Sequence, residues 1–446
     1  MEESQDALRR PHEQSERSLA KGNPASDLLH RQHCRRARPR AIHRVLLCTR
    51  ARRDLPPWVS ASVHLHSARR KARRQPMSTL LIAAGGGGDA IAAAMLAADP
   101  EIVGGTVCGI ATFSWDRLLI DPLPGPRTTD DFTGLKPLGD GAHIVAADTR
   151  PLPPAGSTLP RLAAALQIPL IFLDPKAGCE GLGRQVRAAC TALGAARLLL
   201  VDVGGDIVAR DDEPELRSPL ADGLAAAACG GLGIPVDVVV AGPGLDGELA
   251  ADAVRAAAGD IGGQLLATLN PDHARCVAGI LAWHPSEVTG LLAAAANGVR
   301  GTVEIRDNGT PITLDHRSAE VWSVPLRALT ERSLLIGPLA ATSTLVEAEA
   351  VVRRICGRCE TDYERAKAAS RGGRRTSREG MFTLANFENA VHGIETASAA
   401  RGADYVTLRR LIEVAGGSSG NHDRLRTHLE RRWPDRYLAT LWRVGP

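Results

Sequence analysis

The sequence predicts an α/β fold built on a Rossmann-like, doubly wound, mainly parallel sheet. Two observations point there. Short apolar runs alternate with helix-length segments, the signature of βαβ units, and three of the runs end in glycine–aspartate loops. A third observation is compositional: of 446 residues 44% are hydrophobic but only 3% aromatic. The core must therefore be mostly Ala, Leu, Val and Ile, which suits helices on a parallel sheet better than a β-sandwich.

Residues 80–84 form the first apolar run, followed by a glycine tract and an Ala-rich helical stretch over 90–98. Further apolar runs lie at 102–110 and 144–147. Three strand–helix pairs follow: 169–173 with 182–193, 197–203 with 220–228, and 236–241 with 248–257. Right-handed crossovers place such helices on both faces of a sheet. Beyond residue 258, segments 273–281 and 287–296 read as helices, 302–305 and 320–324 as strands, and 344–356 as an amphipathic helix. Four regions result: a disordered Arg-rich leader (1–76), an α/β ligand-binding domain (77–360), a flexible basic linker (361–380) and a helical C-terminal appendage (381–446) with a helix over 424–433.

Charge separates leader from body. Residues 1–76 hold 18 Lys and Arg against 7 Asp and Glu, whereas the remainder holds 36 against 43. An acidic body argues against nucleic acid as its partner. The leader has little apolar periodicity to offset the entropy of ordering. It reads as an extension ahead of a start at Met77; an electrostatic tail or an export signal are the other readings, the latter without a continuous apolar core. The 9 cysteines are scattered and odd in number, the pattern of reduced thiols in a cytoplasmic protein. No apolar run is long enough for a membrane span.

The three loops share a design. Residues 81–84 run into Gly85-Gly86-Gly87-Gly88-Asp89, residues 199–203 into Gly204-Gly205-Asp206, and residues 238–241 into Gly242-Pro243-Gly244-Leu245-Asp246-Gly247-Glu248. Strand C-termini in a parallel sheet share one edge, where ligands bind. Glycine lets backbone amides approach a ligand, and helix N-termini attract anions. A tight turn with Asp as helix cap is the plain alternative for any one loop. Three together suggest a ligand site in which the amides of Gly85, Gly86, Gly87, Gly88, Gly204 and Gly205 cradle a phosphate, and Asp206, Asp246 and Glu248 act in proton transfer. Asp89 and Gly244 also face the ligand there (Asp89 beside a phosphate only if a metal or a lysine intervenes).

Asp202, Asp206 and Asp246 are candidate ligands for Mg²⁺, which prefers oxygen donors and bridges to phosphate. Ser218, before Pro219, reads as a helix cap, and Asp222 one turn later faces the same side, so both are candidate ligand-binding residues. Lys176, after another strand, is a candidate phosphate partner. Trp115, Asp116 and Asp148 also follow strands, and His273 and His284 read as structural. Cys356 and Cys359 form a lone C-x-x-C, weak evidence for zinc. Gly85, Gly87 and Ala90 satisfy a dinucleotide pattern, but the acidic ribose ligand expected after the second strand is missing. No Walker A lysine and no nucleophile elbow is present.

Residues 84–90, 201–206, 218–222 and 242–248 together resemble a family catalogued as domain of unknown function number eleven fifty-two, found in archaea and actinobacteria. The resemblance covers about residues 77–345 and implies no activity. The residues themselves suggest an enzyme of phosphoryl-transfer or phosphate-ester chemistry on a phosphorylated small molecule or nucleotide. A non-catalytic nucleotide or metabolite sensor and a dinucleotide-dependent oxidoreductase are the alternatives.

Overall fold

The computed structural model describes residues 78–378 and 382–445; the leader read in residues 1–76 lies outside the described residues, as does Met77. The architecture is α/β around a nine-stranded mixed sheet. Its centre is five parallel strands in the order Val236–Ala241, Arg197–Val203, Ser78–Ala83, Thr106–Phe113, Leu170–Leu173. The mainly parallel sheet expected from the sequence is thus only its middle. Glu320–Pro325 and Gln264–Thr268 add antiparallel strands at one edge, and Ala142–Val145 and Lys136–Gly139 at the other. Gln264–Thr268 is mostly exposed, and Leu265 and Leu266 are among its exposed side chains.

Helices cover both faces, which is why the central strands are mostly apolar on both sides. Side chains alternate between two cores. Leu81, Leu199, Val201 and Val239 join the helices Gly87–Leu96, Pro271–Leu281 and Glu287–Ala296. Leu80, Ile82, Leu198, Leu200 and Val238 join Gly178–Leu193, Pro219–Gly230 and Leu345–Cys356. The apolar run at 102–110 is divided: Pro100–Val103 is a helical turn closed by left-handed Gly104, and the strand spans Thr106–Phe113. A cap there depends on glycine, because a Cβ in that conformation collides with its own backbone.

Two expectations about the C-terminal part need correcting. Residues 361–378 of the stretch read as a flexible linker belong to a continuous helix, Glu360–Arg378, and residues 379–380 lie outside the described residues. Its Glu, Arg, Ala and Lys residues are strong helix formers, and they outweigh the glycine pair at 372–373. The segment read as a helical appendage does contain Leu384–Ala400, Leu408–Val414 and His422–Arg432. It also supplies Tyr405–Thr407, Tyr437–Leu438 and Leu441–Arg443 to a five-stranded sheet with Gly301–Ile305 and Thr310–Leu314. Phe387, Leu411, Leu425 and Trp442 fill a third core behind that sheet.

Ion pairs at low exposure fasten this sheet to the body. Arg409 pairs with Glu287 and with Glu413, both groups of the Arg409–Glu287 pair being 7% exposed. The Thr407 hydroxyl also donates to Glu287. Burial alone would raise the Glu287 carboxyl, but the Arg409 guanidinium holds it below its ordinary value. Removing one partner of a buried pair strands the other charge in a poorly solvated place. Arg409→Ala should therefore lower the free energy of urea unfolding by about 3 kcal/mol; a loss below about 0.5 kcal/mol, typical of an exposed pair, would show that this contact is not a structural tie.

Candidate functional site

Side-chain alternation puts Asp202 on the same face of its strand as Leu198 and Leu200, the face covered by the helix Pro219–Gly230. That helix carries Asp222 in its first turn. Asp206 opens the turn Asp206–Val208 that follows the strand. Carboxylate oxygens of Asp202, Asp206 and Asp222 lie within 4.8 Å of one another, and all three residues are buried. Asp246 joins them from the loop after Val236–Ala241, and Asp89 from the first turn of Gly87–Leu96. All five line one cavity of about 590 Å³. It lies at the C-terminal ends of the parallel strands, beside Ser78–Ala83 and Arg197–Val203.

Two glutamates complete the floor. Glu248 Oε2 accepts the amides of Arg217 at 2.6 Å and Ser218 at 3.1 Å. Its Oε1 accepts the Ser218 hydroxyl at 2.6 Å and Arg306 Nη2 at 2.9 Å. Glu360 Oε2 accepts the Leu220 amide at 3.0 Å. Carboxylates from distant segments therefore satisfy the N-terminus of Pro219–Gly230, where their charge also meets the helix dipole. Ser218 occupies the cap position as expected, but its hydroxyl turns to Glu248.

Crowding shows in the acidities. Burial, ahead of every other cause, pushes Asp89 up to about 7, Asp246 up to about 7 and Glu360 up to about 8. Burial and then the neighbouring carboxylates raise Asp202, Asp206 and Asp222 well above the ordinary range. Asp202 Oδ2, Asp222 Oδ1 and Asp246 Oδ2 are buried with no hydrogen-bond partner. A buried acceptor left unpaired is costly, and a proton or a cation at these oxygens would relieve that cost. Among the described residues this is the group of potential metal ligands whose atoms lie close enough together to share an ion, and it contains Asp222 where the sequence suggested Asp246.

The glycines do other work than expected. Gly204 and Gly205 do not line the cavity; their φ of +119° and +100° turn the chain so that Asp206 folds back. The Gly204 amide donates to Ala241 O, and a Cβ there would stand 2.4 Å from Asp246 Oδ2. Gly244, also off the cavity, donates to Gly204 O and ties the second loop to the third. Gly87 packs against Thr158 and Leu159 instead of facing the cavity. Gly85, Gly86 and Gly88 do line it. Gly85 donates its amide to Asp89 Oδ2 at 2.9 Å. Gly86, the cap of the helix Gly87–Leu96, brings no capping side chain.

Lys176 is away from the cavity: exposed, and paired with Asp130. Asp148 pairs with Lys136 at 3.1 Å on the surface. Asp116 stands just past the second strand, where a ribose ligand would be sought, but its oxygens accept the amide and hydroxyl of Thr158 at 2.8 Å each. His273 meets Asn270 and Asp99. His284 lines the cavity, but burial drives it down to about 3; neutral, it accepts the Ser286 amide and donates to Thr158 Oγ1. Burial raises the Cys356 and Cys359 thiols to about 12 and about 11. Residues that the sequence did not mark are Arg306, Glu360, Tyr363 and Lys367, all on the cavity wall. The first lies on a hairpin whose Asn308-Gly309 is a recognisable turn signal; the others sit on a helix remote in sequence from the loops.

Fold and site together define an α/β protein with a carboxylate-floored cavity at the C-terminal edge of its parallel strands. The chain belongs to the family described as protein of unknown function (DUF1152), whose model matches residues 80–368. No curated protein and no solved structure matches it. Among the described residues no helix is long and apolar enough to cross a membrane.

The raised acidities have a sign that can be measured. The folded protein holds protons on these carboxyls that the unfolded chain has already lost by pH 6.5, so its stability falls as pH rises from there to 8. His284 opposes this trend: its unfolded imidazole loses its proton through the ordinary value of 6.5, so its stabilising contribution is still rising at the bottom of that window and is complete before pH 8. The thermal midpoint of chelator-treated protein should be lower at pH 8 than at pH 6.5, and Asp246→Asn should flatten the slope. A midpoint that is constant or rises across the window contradicts the crowding.

Proposed function

We propose that the protein is a divalent-cation-dependent enzyme of a phosphorylated small molecule or nucleotide, acting by phosphoryl transfer or phosphate-ester hydrolysis. The observation that carries this reading is the trio Asp202, Asp206 and Asp222, with two orphaned buried oxygens among them. Three carboxylates so close cannot all ionise away from water unless a cation joins them. An all-oxygen site suits Mg²⁺, with a substrate phosphate completing its shell. A cation held there supplies charge to polarise a phosphoryl oxygen.

The remaining parts support the same chemistry. Asp89 and Asp246, both pushed up to about 7, exchange protons near neutrality, as a general acid or base must. Glu248 is saturated by two amides, a hydroxyl and Arg306, and so positions the helix and the arginine more readily than it takes a proton. The N-terminus of Gly87–Leu96, without a capping side chain, offers amides for phosphate.

The parallel strands run third, second, first, fourth, fifth across the sheet, the order of the doubly wound Rossmann fold. The cavity lies where that order reverses, the usual place for a nucleotide. A nicotinamide role is less favoured, because Asp116 is committed to Thr158.

Calorimetric titration of the chelator-treated chain should show Mg²⁺ or Mn²⁺ binding that Asp202→Asn and Asp222→Asn each weaken at least tenfold. A panel of nucleotides and sugar phosphates, followed by phosphate release, should show turnover that needs the cation. Saturable nucleotide binding without turnover would replace the enzyme by a sensor; no cation binding at all would overturn the reading.

A further inference from the structure

We propose that Arg306 grips the phosphoryl oxygens of the ligand, and that the C-terminal segment beyond the family match exists in part to hold this arginine in place. The inference rests on the proposed cation site and adds to it the group that receives the anion.

Arg306 begins the tip of the hairpin between Gly301–Ile305 and Thr310–Leu314, and it lines the cavity. Its φ is +58°, a left-handed conformation that long side chains seldom adopt. Such a backbone persists only when its surroundings impose it. Here they do so from both sides of the peptide. Glu287 Oε1 accepts the Arg306 amide at 3.0 Å, and Arg410 Nη1 donates to the carbonyls of Arg306 at 2.9 Å and Asp307 at 2.6 Å. Arg409 and Thr407 in turn fix Glu287. Three of the residues that impose the conformation, Thr407, Arg409 and Arg410, lie beyond residue 368, where the family match ends.

The result is a guanidinium delivered to the edge of the acidic floor. Nη2 lies 2.9 Å from Glu248 Oε1, and the positive charge also favours ionised Asp246. Glu248 has three other donors and does not need Arg306 for its own satisfaction. Among the described residues no other side chain bonds to this guanidinium, whose planar fork suits two oxygens of one phosphate. A phosphate between Arg306 and a cation at Asp202, Asp206 and Asp222 would meet positive charge from both directions. The unpartnered oxygens of Asp202 and Asp222 are the independent sign that such a cation belongs there.

The test uses the full chain, Mn²⁺ and inorganic phosphate as probes, and Arg306→Asn and Arg306→Lys as variants. Asn tolerates left-handed backbone, so Arg306→Asn should keep the wild-type thermal midpoint. It should bind Mn²⁺ as tightly as wild type or more tightly, yet bind phosphate at saturating Mn²⁺ at least tenfold more weakly. Arg306→Lys should recover part of the phosphate affinity. Wild type that binds Mn²⁺ but no phosphate overturns the inference, as does Arg306→Asn with undiminished phosphate affinity. So does a variant whose midpoint and phosphate binding fall together, which would make Arg306 a structural tie. If wild type binds no Mn²⁺, the cation site itself fails, and this inference with it.

Discussion

Mutual repulsion among buried carboxylates is the constraint around which the rest of the molecule is arranged. Asp202, Asp206 and Asp222 bring oxygens within 4.8 Å at low exposure, with Asp89, Asp246 and Glu360 raised beside them. A fold with no use for such a cluster would be more stable with apolar residues in its place. The surroundings instead supply what carboxylates can use: the amides of one helix N-terminus for Glu248 and Glu360, the Gly85 amide for Asp89, and a guanidinium at the rim. What they leave unmet is concentrated on Asp202, Asp222 and Asp246.

The second sheet has its place in the same arrangement. From the floor, Glu248 leads to Arg306, whose amide meets Glu287; Glu287 pairs with Arg409, Arg409 with Glu413, Glu413 with Lys367 and Lys367 with Asp307. This chain of ionic contacts connects the hairpin tip, the helix Glu360–Arg378 and the C-terminal segment around one side of the cavity. The family match stops at residue 368, yet the contacts that shape Arg306 continue past it. The last sixty or so residues are thus part of the cavity's construction as well as a separate core.

Much of the site was legible because its acids lie on strand ends, and strand ends are easy to find. The runs at 197–203 and 236–241 are bounded as the apolar pattern predicts, since burial on both faces leaves no alternative periodicity. That Asp89, Asp206 and Asp246 share a cavity follows from parallel strands ending at one edge. The function of the glycines was not legible. A glycine that lets an amide meet a ligand and one that lets another loop approach look alike in sequence, and Gly204 is of the second kind. At the antiparallel edges, 320–324 and 144–147 were visible as strand and apolar run, but their pairing and the other edge strands were hidden for a different reason. The three apolar residues of Gln264–Thr268 show no face preference because both faces are largely exposed, and the pairing of Ala142–Val145 depends on a short hairpin instead of a crossover. Arg306 and Glu360 reach the site through contacts between distant segments, on which local sequence is silent.

The central claim is that the Asp202, Asp206 and Asp222 cluster is built to hold a divalent cation. The most direct measurement is the anomalous diffraction of crystals grown with Mn²⁺. The account predicts a peak bonded to oxygens from all three residues, at the roughly 2.0–2.6 Å typical of hard divalent cations. Density without such a peak, with the three side chains turned apart or paired through protons alone, would contradict it.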